Sequence, residues 1–353
     1  MEAFRFPGLP TRVVFGRGTL AEVPREMEAL GRGRAVVLAT PHQREEAEAL
    51  AARLGARAVG VIAEAVMHTP VAVTEAAMAR VAGLDADCVV AVGGGSTTGL
   101  AKAIALRTDL DQIIVPTTYA GSEMTPILGE TRDAVKTTQR SDRIRPETVI
   151  YDVDLTLGLP PGLSATSGLN AIAHAVEALY AQDRNPIVSL MAEEAIRALA
   201  GALPRILDNP GDRAARSDAL YGAWLAGACL GTVGMALHHK LCHVLGGAFD
   251  LPHAETHAAV LPHAAAYNAP AAPEAMARVA RALAASEAAQ GLFDLAAGLG
   301  APTALSAIGM PRDGLDRAAE MAVAQPYWNP RPPEREAIRR LLDDAFHGRR
   351  PAP

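Results

Sequence analysis

Apolar residues in the first 150 positions come in short runs that alternate with segments of helical spacing. The short runs are rich in valine and isoleucine, as the buried strands of a parallel sheet are. The predicted strands are 12–15, 34–39, 58–62, 88–92, 112–115 and 149–152. The predicted helices between them are 45–54, 71–83 and a segment that ends at Leu106. Because strands joined by helices form parallel sheets, this part of the chain is predicted to be an open, doubly wound α/β domain.

The pattern changes after a proline-rich joint at residues 157–161. From Ser164 onward the apolar positions follow helical spacing only. The expected breaks between helices are Pro186, Pro204, Pro252, Pro302 and Pro311. The chain is therefore predicted to divide into an α/β dinucleotide-binding domain at 1–155 and an all-helical catalytic domain at 156–353.

Composition narrows the classes of function. The chain has 353 residues, half of them hydrophobic, which is enough for two domains with a large core. Its formal net charge of −6 gives no basic patch, which argues against a nucleic-acid partner. We expect no membrane span and no signal peptide, because no apolar run has the required length. Three widely spaced cysteines argue against disulfides and favour a cytoplasmic enzyme.

A glycine-rich run, GGGSTTG at residues 93–99, follows the fourth predicted strand. Such a run lets backbone amides approach a phosphate, and the helix that follows adds a favourable dipole. Thr98 replaces the third glycine of the G-x-G-x-x-G fingerprint, so a tight structural turn is the alternative interpretation. Thr117 and Thr118, which end the next strand, favour a dinucleotide, because ligands bind at the carboxyl ends of parallel strands.

The residues after the strand that ends at Ala39 bear on the choice of coenzyme. A strongly NAD-selective site usually carries an acid there, which binds the ribose hydroxyls. This chain has Thr40 and Gln43 in that segment and no acid between them. Either side chain could bind either ribose, so both NADH and NADPH are expected to serve.

Six of the ten histidines lie between Gly231 and His263. His239 and His243 are four residues apart, so they share one face of a helix that Gly246 and Gly247 are expected to end. His253 is expected to begin the next helix. Imidazoles bind divalent metals or move protons near neutral pH. A structural role fits a lone histidine, whereas a cluster indicates a functional site.

A second polar group lies on the first helix of the helical domain. Asn170, His174 and Glu177 share one face of that helix. Spacing alone leaves two possibilities open: these side chains face the histidine cluster, or they face solvent.

These residues resemble those of the iron-containing alcohol dehydrogenases. Asn170, His174, His239 and His253 stand where that family has its metal ligands, an aspartate and three histidines. Within the family the chain looks like a maleylacetate reductase over nearly its whole length. The motifs that carry this resemblance are RVVFG from Arg12, HTP from His68, GGGSTTGL from Gly93, PTTYAGSEMTP from Pro116 and NPR from Asn329.

The resemblance implies a fold like the one predicted from the pattern, and a nicotinamide coenzyme. Together with Thr40, the implied coenzyme-binding residues are Gly94, Gly95, Ser96, Thr117, Thr118, Ser122 and Lys136. Asn170 departs from the aspartate of the wider family. Maleylacetate reductases share this departure and resemble one another in working without a bound metal, so no metal is expected.

The implied reaction is the reduction of the carbon–carbon double bond of maleylacetate, a dicarboxylate, to 3-oxoadipate in the degradation of aromatic compounds. Hydride added at the carbon β to the ketone produces an enolate, which needs a hydrogen-bond donor on oxygen and a proton on the α carbon. The residues expected to supply these are His239, His243 and His253, with His174 and Asn170 beside them. Lys240 is a candidate for binding a substrate carboxylate, and Arg132 and Arg331 are further candidates. The enzyme is expected to be a homodimer.

Two alternatives stay open. The first is a metal-dependent alcohol dehydrogenase of the same fold, since three imidazoles can hold a catalytic zinc; Asn170 argues against it. The second is a nucleotide-binding protein without catalysis; the histidine set argues against that one.

Overall fold

The computed structural model of the chain describes residues 4–132 and 135–352, without the side chains of residues 135 and 136. Contacts between residues divide the chain into two compact units. One is Gly8–Leu159, and the other consists of residues 4–7 and 160–352. The domain boundary expected after residue 155 stays a prediction, four residues before this division.

The strands of the first unit are β1 Arg12–Gly16, β2 Ala35–Leu38, β3 Ala58–Ile62, β4 Cys88–Gly93, β5 Asp111–Pro116, β6 Ile127–Arg132, β7 Val135–Arg140 and β8 Thr148–Asp152. Six of them form a parallel sheet in the order β1-β8-β5-β4-β2-β3, and the predicted open α/β fold is confirmed. The helices are α1 Val23–Ala29, α2 Arg44–Leu54, α3 Val71–Ala82 and α4 Gly95–Thr108.

The central strands are buried on both faces, which explains their continuous apolar runs. Every residue of β2, β4 and β8 is buried. Apolar residues of α2, among them Leu50 and Leu54, belong to the core on one face of the sheet. In the register of the sheet, Gly93 lies beside Pro116. The glycine-rich turn after β4 and the threonines after β5 therefore meet at the same edge.

An antiparallel pair, β6 and β7, lies outside the predicted elements. It pairs from Ile127 opposite Arg140 to Arg132 opposite Val135. The side chains of residues 137–140 are exposed and polar. The hairpin therefore lacks the apolar run by which the other strands were predicted.

In the described part of the second unit, the regular elements are helices. They are α5 Pro161–Tyr180, α6 Pro186–Asp208, α7 Arg213–Thr232, α8 Leu237–Phe249, α9 His253–Asn268, α10 Pro273–Ala282, α11 Ala288–Gly298, α12 Leu315–Val323 and α13 Arg335–His347. Helices α8, α9, α12 and α13 share one hydrophobic core. The prediction that His253 begins a helix is confirmed.

Two predicted helix ends are wrong. Helix α8 continues through Gly246 and Gly247 and ends at Phe249, where Asp250 adopts a left-handed conformation with φ of 53°. Helix α6 likewise continues through Pro204. In both cases buried side chains next to the breaking residues, such as Leu245 in α8 and Leu203 in α6, pack the helix into the core and offset the lost local stability.

No single helix in the described ranges is long and apolar enough to cross a membrane. By length and composition only, α7 and α8 together would pass the same test, as a pair bent by 94°.

Candidate active site

The glycine-rich turn lies between the carboxyl end of β4 and the amino end of α4. Gly93 has φ of 154°, and an added Cβ would lie 2.3 Å from Thr97 Oγ1, so the turn requires glycine there. An added Cβ at Gly94 would lie 2.9 Å from Thr118 Cγ2. Gly95 is exposed and begins the 14-residue helix α4. The turn thus offers backbone amides at the positive end of a helix dipole, which suits a phosphate.

A chain of side-chain hydrogen bonds borders this turn. Thr40 Oγ1 donates to Gln43 Oε1, and Gln43 Nε2 donates to Thr117 Oγ1, both at 3.2 Å. Gln43 Oε1 would lie 2.9 Å from a Cβ added at Gly93. Gln43, which the sequence indicates together with Thr40 as a candidate for the ribose, therefore lies beside the glycine-rich turn.

The predicted coenzyme residues fall into three groups. Those brought together at the sheet edge are Thr40, Gly94, Gly95, Ser96, Thr117 and Thr118. Ser122 begins a short 3-10 turn further along, where Lys102 Nζ donates to its carbonyl oxygen at 2.6 Å. The side chain of Lys136 lies outside the described residues.

Glu177 is the centre of the polar group buried in the helical unit. Its carboxylate accepts hydrogen bonds from the amides of Ala236 and His238, each at 2.8 Å, and so caps the amino end of α8. His239 Nδ1 lies 2.7 Å from Glu177 Oε2. Burial alone would raise the pKa of Glu177, but the hydrogen bond and attraction from His239 together with the Ala236 amide lower it to about 2. The polar face of α5 therefore faces the histidine cluster, and Glu177 is ionised at neutral pH.

The ionised Glu177 sets the tautomers of two histidines. A carboxylate only accepts, so His239 carries a proton on Nδ1. His239 Nε2 lies 2.8 Å from His174 Nδ1. While His239 is neutral, His174 must donate through Nδ1, which leaves its own Nε2 unprotonated. When His239 gains a proton, His174 accepts through Nδ1 and carries its proton on Nε2. The chain Glu177–His239–His174 therefore couples the protonation of both rings.

Exposure separates the predicted histidines into two pairs. His174 and His239 are buried, whereas His243 and His253 are exposed. The ring of His243 lies 6.4 Å from that of His239, centroid to centroid. The ring of His253 lies 4.5 Å from that of His257 and at an angle of 61°. The two exposed imidazoles are thus held beside buried ones.

His238 and His257 form a buried pair next to the predicted histidines, and neither was among the predicted site residues. His238 Nε2 and His257 Nδ1 lie 2.9 Å apart, and Cys242 Sγ lies 3.7 Å from His238 Nε2. Burial lowers the pKa of His238 to about 3, lowers the pKa of His257 and raises the pKa of the Cys242 thiol. These groups are therefore neutral near pH 7. One imidazole of the pair therefore donates to the other, and the His257 ring also packs against the ring of His253.

The predicted carboxylate-binding residues differ in their surroundings. Lys240 is half-buried, with Nζ 5.9 Å from the centroid of the Tyr327 ring. Arg331 stacks on Tyr267 at 4.3 Å. Arg132 belongs to the other unit, where it is exposed and pairs with Glu75 at 3.4 Å. Of the three, only Lys240 belongs to the helix that carries His239 and His243.

Sequence comparisons show to which family the chain is similar. The sequence model described as iron-containing alcohol dehydrogenase matches residues 10–153, and that of the C-terminal part of the Fe-containing alcohol dehydrogenase family matches residues 164–346. A maleylacetate reductase of Rhizobium sp. (strain MTP-10005) is 59% identical over 99% of this chain and 100% of its own length. Another, of Burkholderia cepacia, is 58% identical over 100% of both chains.

The chain belongs to the maleylacetate reductase group of the iron-containing alcohol dehydrogenase family. The crystal structure of a maleylacetate reductase from Agrobacterium tumefaciens has a TM-score of 0.97, with 59% identity over 99% of this chain and 100% of that one. A 1,3-propanediol oxidoreductase has a TM-score of 0.90, with 27% identity over 98% and 100%. The protein is therefore an oxidoreductase.

The family's name raises the question of whether these residues suit a metal ion. Asn170 supplies an amide oxygen without charge, and this atom is buried with no hydrogen-bond partner among the described residues. Both ring nitrogens of His239 are already engaged, by Glu177 and by His174. Among the described residues, one group of histidine, cysteine or acidic side chains has all its potential ligand atoms within 4.8 Å of one another. It consists of His238, Cys242 and His257. At the family's ligand positions this chain therefore offers three imidazoles and an uncharged amide, and no carboxylate.

Proposed function

We propose that the enzyme reduces the carbon–carbon double bond of maleylacetate to 3-oxoadipate with NADH or NADPH, and does so without a resident metal ion. The proposal rests on the full-length likeness to maleylacetate reductases. The buried chain Glu177–His239–His174 supplies the chemistry, because it couples a permanent negative charge to imidazoles that can carry a proton. By the same likeness we infer a cytoplasmic homodimer.

The coenzyme would be bound by the first unit and would supply the hydride. Backbone amides of Gly95 and Ser96 at the start of α4 would bind its pyrophosphate. Thr40 and Gln43 would bind the adenosine ribose, since their hydrogen-bonded pair follows β2 at the edge where such riboses bind. Glycine at positions 93 and 94 keeps this surface open, because a Cβ at either position would collide with a threonine side chain.

The histidines would handle the charge that develops on the substrate. Hydride added β to the ketone leaves negative charge on the ketone oxygen and requires a proton at the α carbon. His243 and His253 are the exposed imidazoles of the cluster, so we assign these two tasks to them. His239 and His174 are buried, and we assign them to positioning and to storing a proton next to Glu177. Lys240 would attract one substrate carboxylate, because its ammonium group lies on the same helix.

A spectrophotometric assay of NADH oxidation tests the proposal. We expect turnover with maleylacetate and little activity on simple primary alcohols or diols with the oxidised coenzyme. The reverse pattern, fast alcohol oxidation with no turnover of maleylacetate, would reject the proposal and favour a metal-dependent alcohol dehydrogenase. Binding of NADH without turnover of either substrate would favour a nucleotide-binding protein.

A further inference from the structure

Lys102 is a fully buried lysine on α4, two helical turns after the glycine-rich turn. Its Nζ donates to the carbonyl oxygens of Ser122 and Ile127, at 2.6 and 3.0 Å, and to Thr125 Oγ1 at 2.9 Å. Ser122 Oγ lies at 3.4 Å from the same nitrogen. All these acceptors belong to one segment, residues 122–127, so a single ammonium group ties that segment to α4.

The segment is also fixed at Glu123, which lies between the residues that Lys102 contacts. Tyr151 of β8 donates its hydroxyl to Glu123 Oε1 at 2.9 Å, and both residues are buried. Thr125 Oγ1 in turn donates to the Ser122 carbonyl oxygen at 2.9 Å. The main chain at Ser122 is therefore held from α4 and from the sheet at once.

Burying the ammonium group of Lys102 to hold residues 122–127 in place costs desolvation free energy. Burial lowers the pKa of Lys102 to about 7, although the nearby charge of Glu123 acts to raise it. For stability alone, an apolar side chain of similar volume in this place would serve as well or better. The lysine does something that an apolar residue cannot do, because it sets the position of three oxygen atoms together.

Lys102 also affects the direction of the Ser122 hydroxyl. While Lys102 is protonated it has no acceptor, so the Ser122 hydroxyl cannot donate to it across the 3.4 Å between Ser122 Oγ and Nζ. The hydroxyl proton of Ser122 then points away from Lys102 and is available to an oxygen atom of a ligand. Ser122 is half-exposed, so a ligand can reach it.

We propose that Lys102 is a positioning residue for the coenzyme: it holds Ser122 in a fixed place relative to the glycine-rich turn at the amino end of α4, and leaves the Ser122 hydroxyl proton for a hydrogen bond to the coenzyme. This inference rests on the proposed function, since it takes Ser122 and the glycine-rich turn to bind NADH or NADPH.

The test is Lys102→Met, which keeps the length of the side chain and removes the donors. NADH affinity is measured from the fluorescence of bound NADH, together with kcat at saturating NADH and the thermal unfolding midpoint. We expect the Kd for NADH to rise at least about tenfold, the scale of one lost charge-assisted hydrogen bond. We expect kcat at saturation to change less than about threefold, because Lys102 acts on binding and not on the reacting atoms.

A double-mutant cycle with Ser122→Ala tests whether Lys102 acts through Ser122. If it does, the double variant binds NADH only slightly more weakly than the weaker of the two single variants. Fully additive losses would overturn that part of the proposal. Thr125→Val is a milder variant, which removes one acceptor of Lys102, keeps the charge and should raise the Kd by a smaller factor. It serves in place of Lys102→Met if that variant does not fold, and an unchanged Kd for Thr125→Val would then count against the proposal.

Glu147→Gln is the matched control for a purely structural effect. Glu147 accepts from the Gln112 amide at 2.7 Å, at the opposite end of β5 from Thr117. We expect this variant to lower the unfolding midpoint and to leave the Kd for NADH unchanged. An unchanged Kd for Lys102→Met would mean that Lys102 has only a structural role. The same conclusion would follow if Glu147→Gln lowered the unfolding midpoint by the same amount as Lys102→Met and raised the Kd by the same factor. If the wild-type protein does not bind NADH, the proposed function itself fails.

Discussion

The histidines of the helical unit differ in exposure, and this difference separates those that position other groups from those that can contact the substrate. His239 uses both ring nitrogens inside the protein, one toward Glu177 and one toward His174. A ring in that position can hold charge but cannot also contact a substrate atom. His243 and His253, in contrast, are exposed while still in contact with the buried rings. The acid and base groups that meet the substrate should therefore be these two.

Replacing either exposed imidazole should affect catalysis much more than coenzyme binding. We expect His243→Ala and His253→Ala each to lower kcat by about 10²–10⁴-fold, the range for loss of one acid or base group. The Kd for NADH should stay close to the wild-type value, because the proposed coenzyme residues belong to the other unit. Steady-state kinetics and fluorescence titration measure the two quantities.

His347→Ala is the control for these substitutions. His347 is an exposed histidine at the end of α13 and is absent from the cluster. It should leave kcat unchanged. Normal turnover by both His243→Ala and His253→Ala would mean that the histidine cluster is structural.

Residue spacing identified part of this site and could not identify the rest. The four-residue spacing on one helix face was enough to predict that His239 and His243 belong together. The hydrogen bond that makes Glu177 central joins residues 62 positions apart, so no local pattern could show it. For the same reason the hydrogen bond between His238 and His257, 19 positions apart, was not predicted.

At the scale of the element, helix α8 depends on a carboxylate from another helix. Glu177 accepts the amides of Ala236 and His238, which would otherwise be unpaired at the amino end of α8. The folded-state pKa of Glu177, about 2, lies below the ordinary value of 4.5. Its contribution to stability is therefore fully present above pH 4.5 and is lost as the pH falls toward 2.

Glu177→Gln should lower the stability of the protein in a way that depends on pH. At pH 7 we expect a loss of about 3 kcal/mol in the free energy of unfolding, the value of a pKa difference of this size. The difference between wild type and variant should shrink as the pH falls below 4.5. Urea unfolding followed by circular dichroism at a series of pH values measures both effects.

Glu194→Gln provides the comparison at the surface. Glu194 pairs with the exposed Arg197, so its loss should change the free energy of unfolding by less than about 1 kcal/mol. If Glu177→Gln were no more destabilising than Glu194→Gln at pH 7, the capping role of Glu177 would be wrong.

The segment after β2 belongs to the same scale, because in the proposed function it meets the adenosine ribose of the coenzyme. Thr40 and Gln43 carry no charge and are hydrogen-bonded to each other. Neither would repel the 2′-phosphate of NADPH, so we expect both coenzymes to support turnover. Kinetics with each coenzyme measure the preference. A preference above about a thousandfold, or roughly 4 kcal/mol, would contradict this expectation.

Helices and strands could be predicted where their burial requires a recognisable pattern of apolar residues. Strands buried on both faces, such as β4, require apolar residues at every position, so their runs were visible. In the hairpin β6–β7, residues 137–140 of the second strand are exposed and polar, so this strand has no such run. Gly246 and Pro204 were expected to end helices, but burial of the surrounding side chains outweighs their local preference.

At the scale of the whole molecule, asparagine in place of a metal-binding aspartate should affect the metal content of the purified protein. We expect purified protein to contain no stoichiometric iron or zinc and to keep its activity after treatment with a chelator. Asn170→Asp should raise the affinity for divalent metal, because a carboxylate adds charge beside three imidazoles. Elemental analysis and activity assays measure these outcomes.

Asn209→Asp is the matched control, since Asn209 is exposed and lies at the end of α6, away from the cluster. It should not change the metal content. Stoichiometric metal in the wild type, with activity lost on chelation and restored by metal, would overturn the metal-free proposal.

Residues 4–7 belong to the helical unit, and this affects the order in which the chain can fold during its synthesis. Asn185 Nδ2 donates to the carbonyl oxygen of Arg5 across a separation of 180 residues. At about 5–20 residues per second, a ribosome needs roughly 10–40 s to synthesise that interval. The whole α/β unit leaves the ribosome within this delay, so it can fold while residues 4–7 still lack their partner. The first described residues of the chain would then reach this native contact only after the α/β unit has been synthesised.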